Sequence, residues 1–153
     1  MNIKIICIGK IKEKYLVDGI LEYSKRLKLF CDLEIIELKE TNTDDINKNI
    51  EQEGELILNN IKKNDYVIAL SIPGKNMSSE NMALMIKDHF TYNSSPISFV
   101  IGGSNGLDNK VLERSNYQLS FGKMTFPHQL MRLILLEQIY RCMMINNNHK
   151  YHK

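Results

Sequence analysis

The sequence predicts one α/β domain over residues 1–153, a mostly parallel five-stranded sheet with helices on both faces. Five short runs rich in Ile, Val, Leu and aromatics alternate with longer segments whose apolar residues recur at helical spacing. The short runs are almost continuously apolar, as strands are when both faces of a parallel sheet are covered. No Pro/Gly/Ser linker, internal repeat or low-complexity tract interrupts the 153 residues, so nothing marks a second domain.

The first strand is expected at Ile3 to Ile8, followed by a helix whose apolar face is Leu16, Ile20, Tyr23 and Leu27. A second strand runs from Leu33 to Leu38. Asp44-Asp45 then opens a helix carrying Ile46, Ile50, Ile57 and Ile61. The third strand, Tyr66 to Ser71, precedes a helix that Ser79 would cap and that carries Met82, Ile86 and Phe90. Strands at Ile97 to Ile101 and Tyr117 to Phe121 bracket a short helix from Asn109 to Arg114, and a long helix from His128 to about Asn146 ends the series.

Hydrophobic content of 43% and charged content of 25% fit an ordinary globular protein and exclude collagen-like, mucin-like and broadly disordered classes. Cys7, Cys31 and Cys142 are odd in number and far apart, without the spacing of a disulfide framework or a zinc site. Cys7 and Cys142, in apolar stretches, read as small buried hydrophobes, and the thiols fit a reduced, cytoplasmic protein with no metal expected. The opening apolar stretch is broken by Lys4 and too short for a signal peptide. The most apolar run, Leu130 to Ile145, is broken by Arg132, Glu137, Gln138 and Arg141, so no membrane span is expected.

The net charge of +2 hides an asymmetry, since residues 110–153 carry seven Lys and Arg against two Glu. Lys10, Lys12 and Lys14 form a second basic cluster. Such polarity suits an anionic partner such as RNA.

In a parallel sheet the ligand crevice lies beyond the carboxyl ends of the strands. Three segments expected there as loops have unusual chemistry: Ile72-Pro73-Gly74-Lys75, Gly102-Gly103-Ser104-Asn105-Gly106, and Gly122-Lys123-Met124-Thr125-Phe126-Pro127. Gly102, Gly103 and Gly106 let backbone amides approach a ligand closely, although their spacing matches neither the dinucleotide fingerprint nor the P-loop. Backbone groups of the last loop can hydrogen-bond an adenine edge, and Pro127 suits the first turn of the helix that follows.

On that helix, His128 with Arg132 and Glu137 with Arg141 are spaced four apart, and the second pair has the order that favours an ion pair. The rest is apolar almost all round, which implies burial on more than one side and a homodimer built around this helix. The tail His149-Lys150-Tyr151-His152-Lys153 offers imidazoles, a phenol and amines that could bind phosphate, stack on a base or exchange a proton.

The runs Phe99 to Leu107, Leu119 to His128 and Glu137 to Arg141, with the terminal Tyr151-His152-Lys153, resemble the ribosomal RNA large subunit methyltransferase H family, within the SPOUT class of trefoil-knotted methyltransferases. The resemblance spans essentially the whole chain, and it implies a homodimer with a C-terminal trefoil knot. It also implies methyl transfer from S-adenosyl-L-methionine to N(3) of a pseudouridine in 23S rRNA on assembled ribosomes. By motif position it places cofactor contacts at Leu70, at Gly102, Gly103 and Gly106, and at Phe121, Gly122, Lys123, Met124, Thr125 and Phe126. His152 would order the base or handle its proton, Tyr151 would stack, and Arg132 and Arg141 would hold phosphates. RNA recognition would fall to the dimer surface, the basic C-terminal section, the Lys10 to Lys14 cluster and the tail. Two other readings stay open: a ribosome-binding factor without methyl transfer, and a flavodoxin-like nucleotide or phosphate binder.

Overall fold

The computed structural model describes residues 1–153. In chain order the elements are β1 (Asn2–Ile8), α1 (Lys14–Leu27), β2 (Asp32–Leu38), α2 (Ile46–Asn59), β3 (Tyr66–Asn76), α3 (Ser79–Tyr92), β4 (Ile97–Ile101), α4 (Asn109–Arg114), β5 (Tyr117–Ser120) and α5 (His128–Asn146). All five strands join one sheet in the order β2-β1-β4-β3-β5, and every pairing is parallel.

Strand periodicity divides the core between the two faces. Ile3, Ile5 and Cys7 of β1, with Ile97, Phe99 and Ile101 of β4, point to the larger cluster, which Leu27 of α1, Ile86 of α3 and Leu135 and Ile139 of α5 close. Ile6, Ile8 and Val100 point to the other face, covered by Ile57 of α2 and Val111 of α4. Both faces being covered, β4 is buried at all five positions, as its unbroken Ile-Ser-Phe-Val-Ile run requires.

Three expectations shift. The cap of α3 is Ser78, whose hydroxyl accepts the Asn81 N–H, and Ser79 is the first helical residue, its hydroxyl donating to Gln138. Ile61 lies beyond α2, which stops at Asn59. Most consequential for the site, Ile72-Pro73-Gly74-Lys75 is not a free loop but part of β3. The β3–β5 register breaks between Leu70 and Lys75, with Leu119 facing both, so the Pro-Gly segment bulges out and the strand resumes.

The apolar girth of α5 is met largely within the chain. It lies between α1 and α3 against β4, and no residue from His128 to Asn146 is exposed. Burial on several sides therefore does not by itself require a second subunit.

Candidate active site

The carboxyl ends of β3, β4 and β5 surround a cavity of about 670 Å³. Its wall includes Leu70 to Pro73, Ile101 to Ser104, Gly106 and Leu107, then Phe121, Gly122 and Met124 to Met131 apart from Gln129 and Leu130. The three segments singled out in the sequence thus meet at one place. Lys123 lies between two wall residues but is exposed and outside the lining, as is Asn105. Leu112, Leu119, His128 and Met131 also line the cavity. Sequence reasoning missed Leu112, Leu119 and Met131 because each occupies an ordinary apolar position of its element; His128 carried a signal, as the first residue after the Pro127 loop.

Local chemistry explains how the wall holds its shape. A Cβ on Gly102 would stand 2.9 Å from the Gly106 backbone, so the two ends of that loop pack as closely as backbone allows. Gly122 has φ +122, with open space where a side chain would be, leaving the last loop free to face a ligand with main-chain groups. Ser120 clips that loop to the β3 bulge. Its hydroxyl donates to Ile72 O at 2.8 Å and accepts the Gly122 N–H at 3.1 Å.

Beyond Ser104 and His128 the cavity borders a polar cluster. Arg132 is almost fully buried, donating to Glu37 and to Gly9 O at 2.9 Å. This corrects the expectation that Arg132 holds a phosphate: its guanidinium points inward and ties α5 to the end of β1, where Gly9 turns at φ +87. Ser104 donates to Glu40 Oε1 at 3.1 Å, and the Nε2 of His128 is buried with no hydrogen-bond partner. Behind Gly103, Glu53 is buried; its Oε2 accepts the Thr41 N–H at 3.0 Å while Oε1 has no partner, and desolvation raises its pKa above the usual glutamate value.

The tail folds back on α5. Asn147 caps the helix, Asn148 takes the left-handed conformation at φ 57, and the His149 N–H returns to Met144 O. Tyr151 then packs edge-on against Tyr140, with the Arg141 guanidinium over its ring at 4.9 Å. Its hydroxyl donates to Glu137 at 3.0 Å and lies 3.3 Å from that of Tyr23. Burial, then these two bonds, push the Tyr151 phenol well above its usual pKa, so it stays protonated near neutral pH and is no base. Arg141 forms the expected pair with Glu137 at 2.6 Å, and its Nη1 lies 3.3 Å from Nδ1 of His152. With a guanidinium at Nδ1, the imidazole carries its proton on Nε2 and donates it to Glu80 at 2.8 Å. Tyr151, His152 and Arg141 are thus brought together, but apart from the cavity. Their anchor points, Glu137 and Arg141, follow Met131 by about 9–15 Å of helical rise.

The three cysteines are buried, and burial raises Cys7 and Cys31 to about 11 and Cys142 to about 12, so none is a thiolate at neutral pH. No helix is long and apolar enough to cross a membrane.

Comparison with known proteins supplies the remaining observations. A family described as "Predicted SPOUT methyltransferase" matches residues 1–152. A Fusobacterium nucleatum protein named ribosomal RNA large subunit methyltransferase H is 55% identical over 155 residues, covering all of both chains. Proteins of the same name from Clostridium novyi and Clostridioides difficile are 54% and 52% identical, again over the full length of both. Among solved structures, a probable methylase family protein from Haemophilus influenzae superposes with a TM-score of 0.56 at 15% identity, covering 99% of this chain and 70% of that one.

Proposed function

The chain belongs to the SPOUT methyltransferase family, and from that premise we propose that it methylates large-subunit rRNA, transferring a methyl group from S-adenosyl-L-methionine to N(3) of a pseudouridine on assembled ribosomes. The observation that carries this reading is the convergence of the β3 bulge, the glycine loop and the Phe121 to Phe126 segment on one cavity. At about 670 Å³ it is of the size that takes a small molecule.

The residues present fit an adenosyl sulfonium compound. Leu70, Leu107, Leu112 and Leu119 offer apolar cover for a flat ring, while the loop around Gly122 presents backbone donors and acceptors to a ring edge. Gly102, Gly103 and Gly106 keep the opposite wall free of side chains. When bound, the sulfonium supplies an activated methyl group. The chain's own tasks are to align the acceptor nitrogen with that methyl and to help remove the imino proton. Positioned general-base help is typically worth about 10²–10⁴-fold.

We assign acceptor handling to the tail of a second copy in a homodimer. The support is the separation along α5 between each cavity and its own Tyr151 and His152, which leaves them able to serve another site. In that role Tyr151, His152 and Arg141 face the nucleotide, His152 giving up its bond to Glu80 to expose the imidazole. A C-terminal trefoil knot is part of the same reading. Its support is the family match over residues 1–152. The site of action would be the cytoplasm, where ribosomes are.

The test is incubation with methyl-labelled S-adenosylmethionine and ribosomes lacking the modification, beside protein-free rRNA, with the label mapped by nucleoside mass spectrometry. Label on a pseudouridine of intact ribosomes is expected. Salt-sensitive ribosome binding without either label or cofactor binding would replace the enzyme by a ribosome-binding factor.

A further inference from the structure

We propose that the polar niche beside the cavity, formed by Glu40, Ser104 and His128 around Gly9 and backed by Glu53, binds the α-ammonium group of the methyl donor. The proposal rests on the cofactor reading above and names the part of that ligand which the apolar wall leaves without partners.

Four observations converge. First, the space above the Gly9 Cα is open: a Cβ built there would meet only Glu40 Oε2 and His128 Nε2, each at 3.8 Å. Second, the buried Nε2 of His128 at this niche lacks a partner, as do Nε of Arg132 and Oε1 of Glu53, whose side chain lies against Gly103 in the cavity wall. Buried polar atoms of this kind are rarely left unsatisfied. Third, the niche opens into the cavity through Ser104 and His128, both of which line it, and Ser104 already holds the Glu40 carboxylate.

Fourth, the local charge is acidic. The chain's six ion pairs include Glu37 with Arg132 but none made by Glu40 or Glu53. The Arg132 guanidinium donates to Glu37 and to Gly9 O, with its Nε buried and unpartnered, and the Glu40 carboxylate is the anionic group at the niche that no ion pair engages. An ammonium there gains a carboxylate, an imidazole nitrogen as acceptor and the hydroxyl of Ser104. The occupant best matched to the niche is thus a primary ammonium carried on a ligand whose apolar, ring-bearing body fills the rest of the cavity.

The test compares two ligands by calorimetry. S-adenosylhomocysteine carries the amino-acid end, and 5′-methylthioadenosine lacks it. The wild-type protein should bind the first more tightly than the second. Glu40→Gln, an isosteric change at an exposed position, should weaken S-adenosylhomocysteine about tenfold or more, the loss of roughly one charge-assisted bond, and leave methylthioadenosine unchanged. His128→Asn should shift binding in the same direction. Unchanged methylthioadenosine binding also reports that the cavity is intact. Equal weakening of both ligands, or of neither, by Glu40→Gln would overturn the ammonium assignment while leaving the cofactor reading in place. Binding of neither ligand by the wild-type protein would overturn both.

Discussion

Arg132 shows how much a single side chain contributes here. Its guanidinium joins α5 to the end of β1, and Arg132→Ala removes the bonds to Glu37 and Gly9 O together. Glu37 is partly exposed and can rehydrate, so the expected loss is about 1.5–3 kcal/mol, the range for hydrogen bonds to a charged group, measured as a lower urea midpoint. Gly102→Ala tests the cavity wall. The new Cβ meets Gly106 backbone at 2.9 Å, and backbone cannot step aside as a flexible side chain can. The loop must shift, so S-adenosylhomocysteine affinity should fall by tenfold or more, read by calorimetry, with a stability cost of about 1–3 kcal/mol. At this scale the sequence was only partly legible. Glycines declared the cavity wall because φ and close approach limit what can replace them. Arg132 did not declare its burial: helical spacing placed it beside His128 but could not tell an inward guanidinium from an outward one. Glu53 gave no sign at all, since a glutamate in an amphipathic helix reads as a solvent-facing residue.

Among the elements, the tail after α5 makes the sharpest pH prediction. The hydrogen bond from His152, then one from its own backbone, hold the Glu80 carboxyl below its ordinary value. A depressed carboxylate pKa means that the contact is complete above the unfolded value near 4.5 and is lost as pH falls through the lower, folded value. NMR signals of Tyr151 and His152 should therefore report a docked tail at pH 6 and a released one as the acid limb is crossed. Glu80→Gln should abolish that transition while leaving the sheet's amide protection unchanged. Strand and helix positions were largely readable because apolar runs and helical repeats are local properties. The β3 bulge was not, since Pro73 and Gly74 look like a loop, and only pairing with β5, forty residues on, keeps the segment in the sheet. The tail's docking was equally hidden. It depends on Asn148 reversing the chain and on Tyr23 and Glu80, which no local pattern connects to it.

For the whole molecule, the prediction concerns mass. A homodimer should sediment at twice 17.8 kDa, and a sharp monomer at micromolar concentration would remove the assignment of the tail to a neighbouring site. The sheet order has another consequence, which concerns when the protein becomes itself during synthesis. β1 pairs with β4, so the first strand waits on one side for residues near 100, and Gly9 waits for Arg132, 123 residues later. Sheets closed by such distant partners form slowly, because loop-closure entropy must be overcome before the contacts repay it. A nascent chain emerging from the ribosome therefore carries the apolar β1 and β2 without the strand that covers them, and needs protection from aggregation during that interval. The cavity is assembled by the same late segments, Gly102 to Met131, that complete the sheet. No partly made chain can hold the ligand, and a chain able to hold it has already finished folding.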